Sequence, residues 1–60
     1  MTVGEAIKEL KNNGFTELNQ VGSHIKFGKE DKRITIVKHK SDKEEMNRKG
    51  VKQLKELISH

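Results

Sequence analysis

The chain has 60 residues, enough for one small domain predicted over residues 1–60, and folding buries only about 60% of the unfolded surface at this size. Hydrophobic residues make up 30% of the chain, with two Phe and neither Trp nor Tyr, so we expect no pocket for a large cofactor. Thirteen Lys and Arg against nine Asp and Glu give a formal net charge of +4, which favours polyanionic partners unless the lysines serve only solubility.

The chain contains no cysteine, which excludes disulfides and thiolate metal sites. It also lacks an N-terminal apolar segment of signal-peptide length and any stretch that would span a membrane. These features predict a protein of the reducing cytoplasm.

A first helix is predicted from about Val3 to Asn13. Thr2 and Glu5 have the spacing of a capping box, and Gly14 is placed to end the helix in a left-handed conformation. The apolar residues follow helical spacing on one stripe: Val3, Ala6, Ile7 and Leu10.

Three strands follow, predicted at Phe15–Val21, His24–Phe27 and Arg33–Lys38, with Gly22-Ser23 and residues 28–32 as the two connections. By the two-residue period of a strand, one face takes the apolar side chains of Ile25, Phe27, Ile34 and Ile36. The opposite, exposed face takes His24, Lys26, Arg33 and Thr35.

Lys40–Arg48 is predicted as a loop in which Ser41–Glu44 has the spacing to cap a short helical turn. From about Lys49 to Ser59 helical spacing returns, with one apolar stripe formed by Val51, Leu54, Leu57 and Ile58. The predicted fold class is α+β, in the order α-β-β-β-α, with two helices on one face of a three-stranded antiparallel sheet.

Histidines and lysines supply the chemistry that this chain offers. RNA is cleaved when its 2′-hydroxyl is deprotonated and attacks the adjacent phosphorus, and a histidine suits such proton transfers near neutral pH. Nearby cations stabilise the charge that develops on the phosphoryl oxygens. The histidines are spread out and no metal-binding or nucleotide-binding motif occurs, so no metal and no small-molecule cofactor are expected.

The order of these elements, together with Gly22-Ser23-His24 at the start of the second strand, resembles the HicA family of toxin mRNA interferases from about Val3 to Ile58. The resemblance implies a fold like the double-stranded RNA-binding domain and a metal-independent endoribonuclease whose catalytic residue is His24. It also implies mRNA as the substrate and an acidic, HicB-like antitoxin bound over the face of His24. An isolated Gly-Ser-His would more often mark an ordinary surface histidine, and agreement along the chain reverses that preference.

His39 is a second acid or base candidate. The family often carries a histidine there after a Val-Pro-basic stretch, whereas this chain has Val37-Lys38-His39 and no proline. The interpretation of His39 as a solvated loop residue is therefore slightly favoured over the acid role. His60, the last residue, is predicted to be frayed. Gly22 and Ser23 favour a turn, with Ser23 also a candidate to hydrogen-bond a phosphate.

Four lysines are candidate RNA contacts because they flank the histidines or begin the second helix: Lys26, Lys38, Lys49 and Lys52. The absence of aromatic residues on the exposed face of the predicted sheet argues against base stacking and favours recognition of the RNA backbone and 2′-hydroxyls. Two other classes of protein remain open. One is a non-catalytic RNA-binding module of the same fold, and the other is a protein-interaction module whose basic face meets an acidic protein.

Overall fold

A computed structural model describes residues 1–58 of the chain. Its five elements follow in the predicted order: α1 (Val3–Asn12), β1 (Thr16–Val21), β2 (His24–Lys29), β3 (Lys32–Val37) and α2 (Arg48–Ile58). The strands form one antiparallel sheet in the order β1-β2-β3, and the two helices pack on it. The predicted α-β-β-β-α architecture is therefore confirmed, while the likeness to a double-stranded RNA-binding domain stays a prediction. The predictions for Ser59 and His60 lie outside the described residues.

The ends of α1 form as their residue types predict. The Thr2 backbone N–H donates to Glu5 Oε1 at 2.8 Å, and the Glu5 N–H donates to Thr2 Oγ1 at 3.2 Å, which completes the capping box. The bond from the Thr2 backbone, joined by one with its side chain, holds the pKa of the Glu5 carboxyl below its ordinary value. Gly14 has φ +90°, a conformation that side-chain-bearing residues resist, and the chain turns there into β1.

The second hairpin is tighter than predicted. Residues 28–32 were expected as its connection, but Gly28 and Lys29 extend β2 by pairing with Arg33 and Lys32 of β3. Only Glu30 and Asp31 remain between the strands, and Glu30 takes a positive φ of 56°. The polar composition of residues 28–32 gave no strand signal, although Gly28 is buried and Lys29 is half-buried in the structure.

The core lies between the helices and one face of β2 and β3. Its fully buried members are Val3, Ala6, Leu10, Phe15, Ile25, Phe27, Ile34, Ile36 and Leu54. All six residues of β1 are exposed, so this strand extends beyond the layer of the helices and is held by its pairing with β2. That pairing contains a bulge between Glu17 and Asn19.

The loop between β3 and α2 is fastened to the start of the chain. Three backbone hydrogen bonds hold it: Val3 N–H to the Glu44 carbonyl (2.7 Å), Gly4 N–H to the Asp42 carbonyl (2.8 Å) and Met46 N–H to the Met1 carbonyl (2.9 Å). Thr2 and Glu45 form an isolated β-bridge beside them. The loop prediction is confirmed. Ser41 closes a turn, because its hydroxyl accepts the Lys43 N–H at 3.3 Å and its carbonyl accepts the Glu44 N–H at 3.1 Å. No helix follows directly, and the Glu44 carboxylate binds the backbone at His39 and Lys40 rather than at Ser41.

None of the helices within residues 1–58 combines the length and the apolar character needed to cross a bilayer.

Candidate functional site

His24 is the first residue of β2 and lies exposed on the side of the sheet away from the helices. Its cross-strand neighbours are Val21 on β1 and Val37 on β3, so the imidazole stands between two valines. The turn before His24 is held by β1 on one side and by a hydrogen bond from Lys38 on the other. Gly22 has φ +58°, and the Ser23 carbonyl accepts the Lys38 N–H at 2.8 Å. The backbone that carries His24 is thereby fixed to β3 as well as to β1.

The exposed side of the sheet around His24 is here named the open face. The pairing register places on it Thr16, Asn19, Val21, His24, Lys26, Arg33, Thr35 and Val37. Leu18, at the bulge in β1, joins them because its side chain lies over Gly28. Lys26 lies between Asn19 and Thr35, in the row next to that of His24. The open face thus carries two cations, Lys26 and Arg33, and no carboxylate, which suits it to anionic phosphate groups.

Leu18 and Arg33 cross over the backbone of Gly28 at the far end of the open face. A Cβ added at Gly28 would lie 2.6 Å from Leu18 Cδ1 and 3.1 Å from Arg33 Cδ, so this close approach requires glycine. The Arg33 guanidinium also donates to the Glu30 carbonyl at 2.7 Å and to the Lys32 carbonyl at 2.9 Å. Arg33 is therefore partly engaged by its own hairpin, whereas the described structure shows no such bond for Lys26.

Beside the open face runs a groove of about 550 Å³ between β3 and the first turns of α2, here named the β3–α2 groove. One wall is formed by Thr35, Val37 and His39, the other by Asn47, Lys49 and Gln53, and the loop at Glu44–Met46 closes its end. Thr35 and Val37 belong to both surfaces. Since Val37 is also the cross-strand neighbour of His24, the groove and His24 adjoin.

Glu44 fixes the backbone at His39. Its Oε1 accepts the Lys40 N–H at 2.9 Å and the His39 N–H at 2.8 Å. The bond from Lys40, assisted by that from His39, holds the pKa of the Glu44 carboxyl below its ordinary value. No proline precedes His39, and these two hydrogen bonds to Glu44 constrain the local backbone in its place. Sequence reasoning missed this role, because the partner donors are backbone groups that carry no sequence signal.

The predicted RNA-binding lysines do not share one surface. Lys26 lies on the open face and Lys49 lines the β3–α2 groove. Lys38 follows the last residue of β3, and its ammonium forms an ion pair with Asp42 Oδ1 at 3.2 Å. Lys52 lines a separate depression with Met1 and Met46. The structure therefore brings together His24, Lys26, His39 and Lys49, and leaves Lys38 and Lys52 apart from them.

Ser23 sits half-buried in the turn before His24. Thr35 and Gln53 were not singled out from the sequence as binding residues, and both line the groove beside His39. No sequence signal marks Gln53, because its proximity to β3 depends on how α2 packs. Within residues 1–58, no three His, Asp or Glu side chains come together as a metal-binding group.

An exposed imidazole with cations beside it can exchange protons with a bound polyanion, and the anchored turn keeps it in place. A family model described as the HicA toxin of bacterial toxin–antitoxin systems matches residues 3–58, which is nearly the whole chain. Searches of curated proteins and of solved structures found no significant match. On the strength of the family match, this chain belongs to the HicA family of toxins.

Proposed function

We propose that this toxin acts by cleaving mRNA, with the imidazole of His24 as the general base and the RNA 2′-hydroxyl as the nucleophile. The observation that carries the proposal is the exposed position of His24 on a pinned turn, in a row next to Lys26. Gly22-Ser23-His24 is also the segment that the HicA family places at the start of the second strand. The setting of such a reaction is the cytoplasm, where mRNA is translated.

The reaction needs a base, an acid and charge stabilisation. The neutral imidazole of His24 removes the proton of the 2′-hydroxyl, whose oxygen then attacks the adjacent phosphorus. The bond from phosphorus to the 5′-oxygen breaks, and that oxygen takes a proton from an acid, for which His39 in the adjoining groove is the candidate. Lys26 stabilises the added negative charge on the phosphoryl oxygens. The products are a 2′,3′-cyclic phosphate and a free 5′-hydroxyl, and no step requires a metal.

The antitoxin partner is proposed to be an acidic, HicB-like protein that covers the open face. Three apolar side chains on this face are exposed, Leu18 by 52%, Val21 by 65% and Val37 by 37%. Phosphates gain nothing from contact with such groups, whereas a protein partner gains by burying them. Binding there would exclude RNA from His24.

A non-catalytic RNA-binding module is the second candidate. It is favoured by one observation, that the His24 imidazole has no hydrogen-bond partner among residues 1–58 and so lacks the orienting group that many catalytic histidines have. In the catalytic proposal, the bound RNA or His39 must supply the group that orients the His24 imidazole. A protein-interaction module that never binds RNA is the third class.

Cleavage of a labelled single-stranded RNA by the purified protein, with and without EDTA, tests the proposal. We expect cleavage to survive EDTA, to fail on the DNA of the same sequence, and to leave 2′,3′-cyclic phosphate ends. His24→Ala should reduce the rate by about 10²–10⁴-fold, the usual contribution of a general acid or base, while RNA binding persists. Because the side chain is exposed, the far-UV circular dichroism of this variant should equal that of the wild type.

Several results would contradict the assignment. A folded His24→Ala protein that cleaves at the wild-type rate would remove His24 from the mechanism. A 5′-phosphate product would show that water attacks from outside. RNA that binds without being cut by the wild type would favour the RNA-binding module, and no RNA binding at physiological salt would favour the protein-interaction module.

A further inference from the structure

The β3–α2 groove has a chemistry different from that of the open face beside it. The open face carries Lys26 and Arg33 without a carboxylate. The groove holds one lysine, Lys49, against two carboxylates, Glu44 and Glu45, which leaves a formal charge of −1 with His39 neutral and zero with His39 protonated. A phosphate is therefore drawn to the open face rather than into the groove. A neutral, polar group is the ligand that the groove suits.

From this contrast we propose that the β3–α2 groove is a subsite for one nucleobase of the RNA, and that it selects bases with an exocyclic amino group over uracil. The inference rests on the proposed cleavage of RNA at His24. It adds a recognition site next to the cleaved phosphate, since Val37 belongs to the groove and also neighbours His24 in the sheet. The volume of about 550 Å³ lies within the range of ordinary small-molecule pockets.

The groups that are free to read a base determine the selection. Asn47 Oδ1 already caps α2 by accepting the Gly50 N–H at 2.7 Å, and the Glu44 carboxylate already binds two backbone N–H groups. Thr35 and Gln53 form no side-chain hydrogen bonds within residues 1–58. Glu45 has a 73% exposed side chain and forms a long ion pair, 3.8 Å, with the N-terminal ammonium.

A carboxylate and a glutamine amide favour amino bases for a simple reason. A carboxylate accepts hydrogen bonds only, so Glu45 matches the amino group of cytosine, adenine or guanine and repels the carbonyl oxygens of uracil. A glutamine pairs in a bidentate manner with adenine, and glutamate accepts from the cytosine amino group. Val37 offers an apolar wall against which the flat face of a base can rest.

Nuclear magnetic resonance titration with cytidine 3′-monophosphate and uridine 3′-monophosphate tests the subsite without any cleavage. The two probes have the same phosphate and differ at the base. We expect the backbone signals of Thr35, Lys49 and Gln53 to shift with both, and cytidine to bind at least about fivefold more tightly, the lower end of discrimination by a base contact. Glu45→Gln should remove most of this preference. Glu56→Gln, the same change on α2 outside the groove, should leave it intact.

Cleavage of an RNA with adenosine or inosine at one position next to the cut provides the second measurement, because inosine replaces the amino group with a carbonyl. Adenosine should be cut faster by a similar factor, and the factor should fall in Gln53→Ala. Equal binding of the two nucleotides, shifts absent from the groove at the highest soluble concentrations, or the same groove shifts with inorganic phosphate would overturn the base subsite. Failure of cleavage with selective nucleotide binding would instead overturn only the catalytic proposal.

Discussion

At the scale of single residues, the two histidines of the site are held in different ways. His24 stands on a strand between Val21 and Val37, so its backbone is rigid while its imidazole faces solvent. His39 lies in a loop, where Glu44 binds its backbone N–H and that of Lys40. A strand needs no extra anchor, because its ladder of hydrogen bonds already holds each residue. A loop residue with a defined position needs one, and Glu44 supplies it.

Glu44 should make the stability of the protein depend on acid. Its pKa is lowered from 4.5 in the folded protein by the bonds from Lys40 and His39, so its contribution is complete above that ordinary value and is lost as the pH falls through the folded value. Thermal unfolding of the wild type and of Glu44→Gln, measured between about pH 6 and about pH 3, should therefore converge in acid.

Glu9→Gln is the matched control, since Glu9 is exposed on α1 and its carboxylate has no hydrogen bond within residues 1–58. It should follow the wild type throughout. Curves for Glu44→Gln and the wild type that stay parallel down to the lowest pH would show that the carboxylate charge does not matter, only the space that the side chain fills.

At the scale of elements, the sequence predicted local features of the helices and turns better than the positions of distant segments relative to one another. The capping box, the glycine that ends α1, the turn at Gly22 and the outward face of β2 all follow from short-range rules, and the structure has each of them. The path of the loop at residues 39–47 depends on bonds to residues 1–4, more than 35 positions away, which no local pattern encodes. Likewise, Lys49 and Lys52 are neighbours on α2, yet only the packing of the helix shows that they border different depressions.

This separation on α2 leads to a prediction about RNA binding. If Lys26 and Lys49 contact phosphates at the open face and the mouth of the groove, each replacement by Gln should flatten the log–log dependence of affinity on salt by about 0.7 for a single strand. Lys52→Gln and Lys8→Gln carry the same loss of charge away from that surface and should change the slope little. Binding measured in a His24→Ala background avoids loss of the RNA by cleavage.

Equal effects of all four substitutions would show that net charge, rather than the location of the lysines, determines the affinity. A strong effect of Lys52→Gln alone would move the RNA path to the other side of α2. Either result would contradict the proposal that the RNA runs along the β3–α2 groove.

At the scale of the whole molecule, the core is small and has little reserve. Nine residues form it, and proteins of 60 residues have roughly 3–9 kcal/mol of stability in all. β1 adds no fully buried side chain. Its exposure leaves Leu18 and Val21 on the surface that holds His24. The sheet thus buries one face in the core and leaves the face of His24 exposed.

Leu54→Ala should bring the domain close to unfolding. Leu54 is fully buried where α2 meets the core, and removing such a side chain costs about 2–5 kcal/mol. Leu18→Ala makes the same chemical change at a side chain that is 52% exposed, and should cost a small fraction of that. Urea unfolding of the two variants measures the difference. Similar midpoints would mean that the packing of α2 contributes less than the structure implies.

The bulge in β1 also works against aggregation. β1 is an edge strand, and within residues 1–58 no other strand pairs with its outer side, so its free backbone groups would offer a template for another chain. The bulge between Glu17 and Asn19 interrupts the regular spacing of those groups and leaves only short straight stretches on either side. A strand from another chain that paired with this edge could form regular backbone hydrogen bonds over only two or three residues. A chain that exposes apolar side chains beside such an edge can in this way remain free of fibril-like contacts with its own copies.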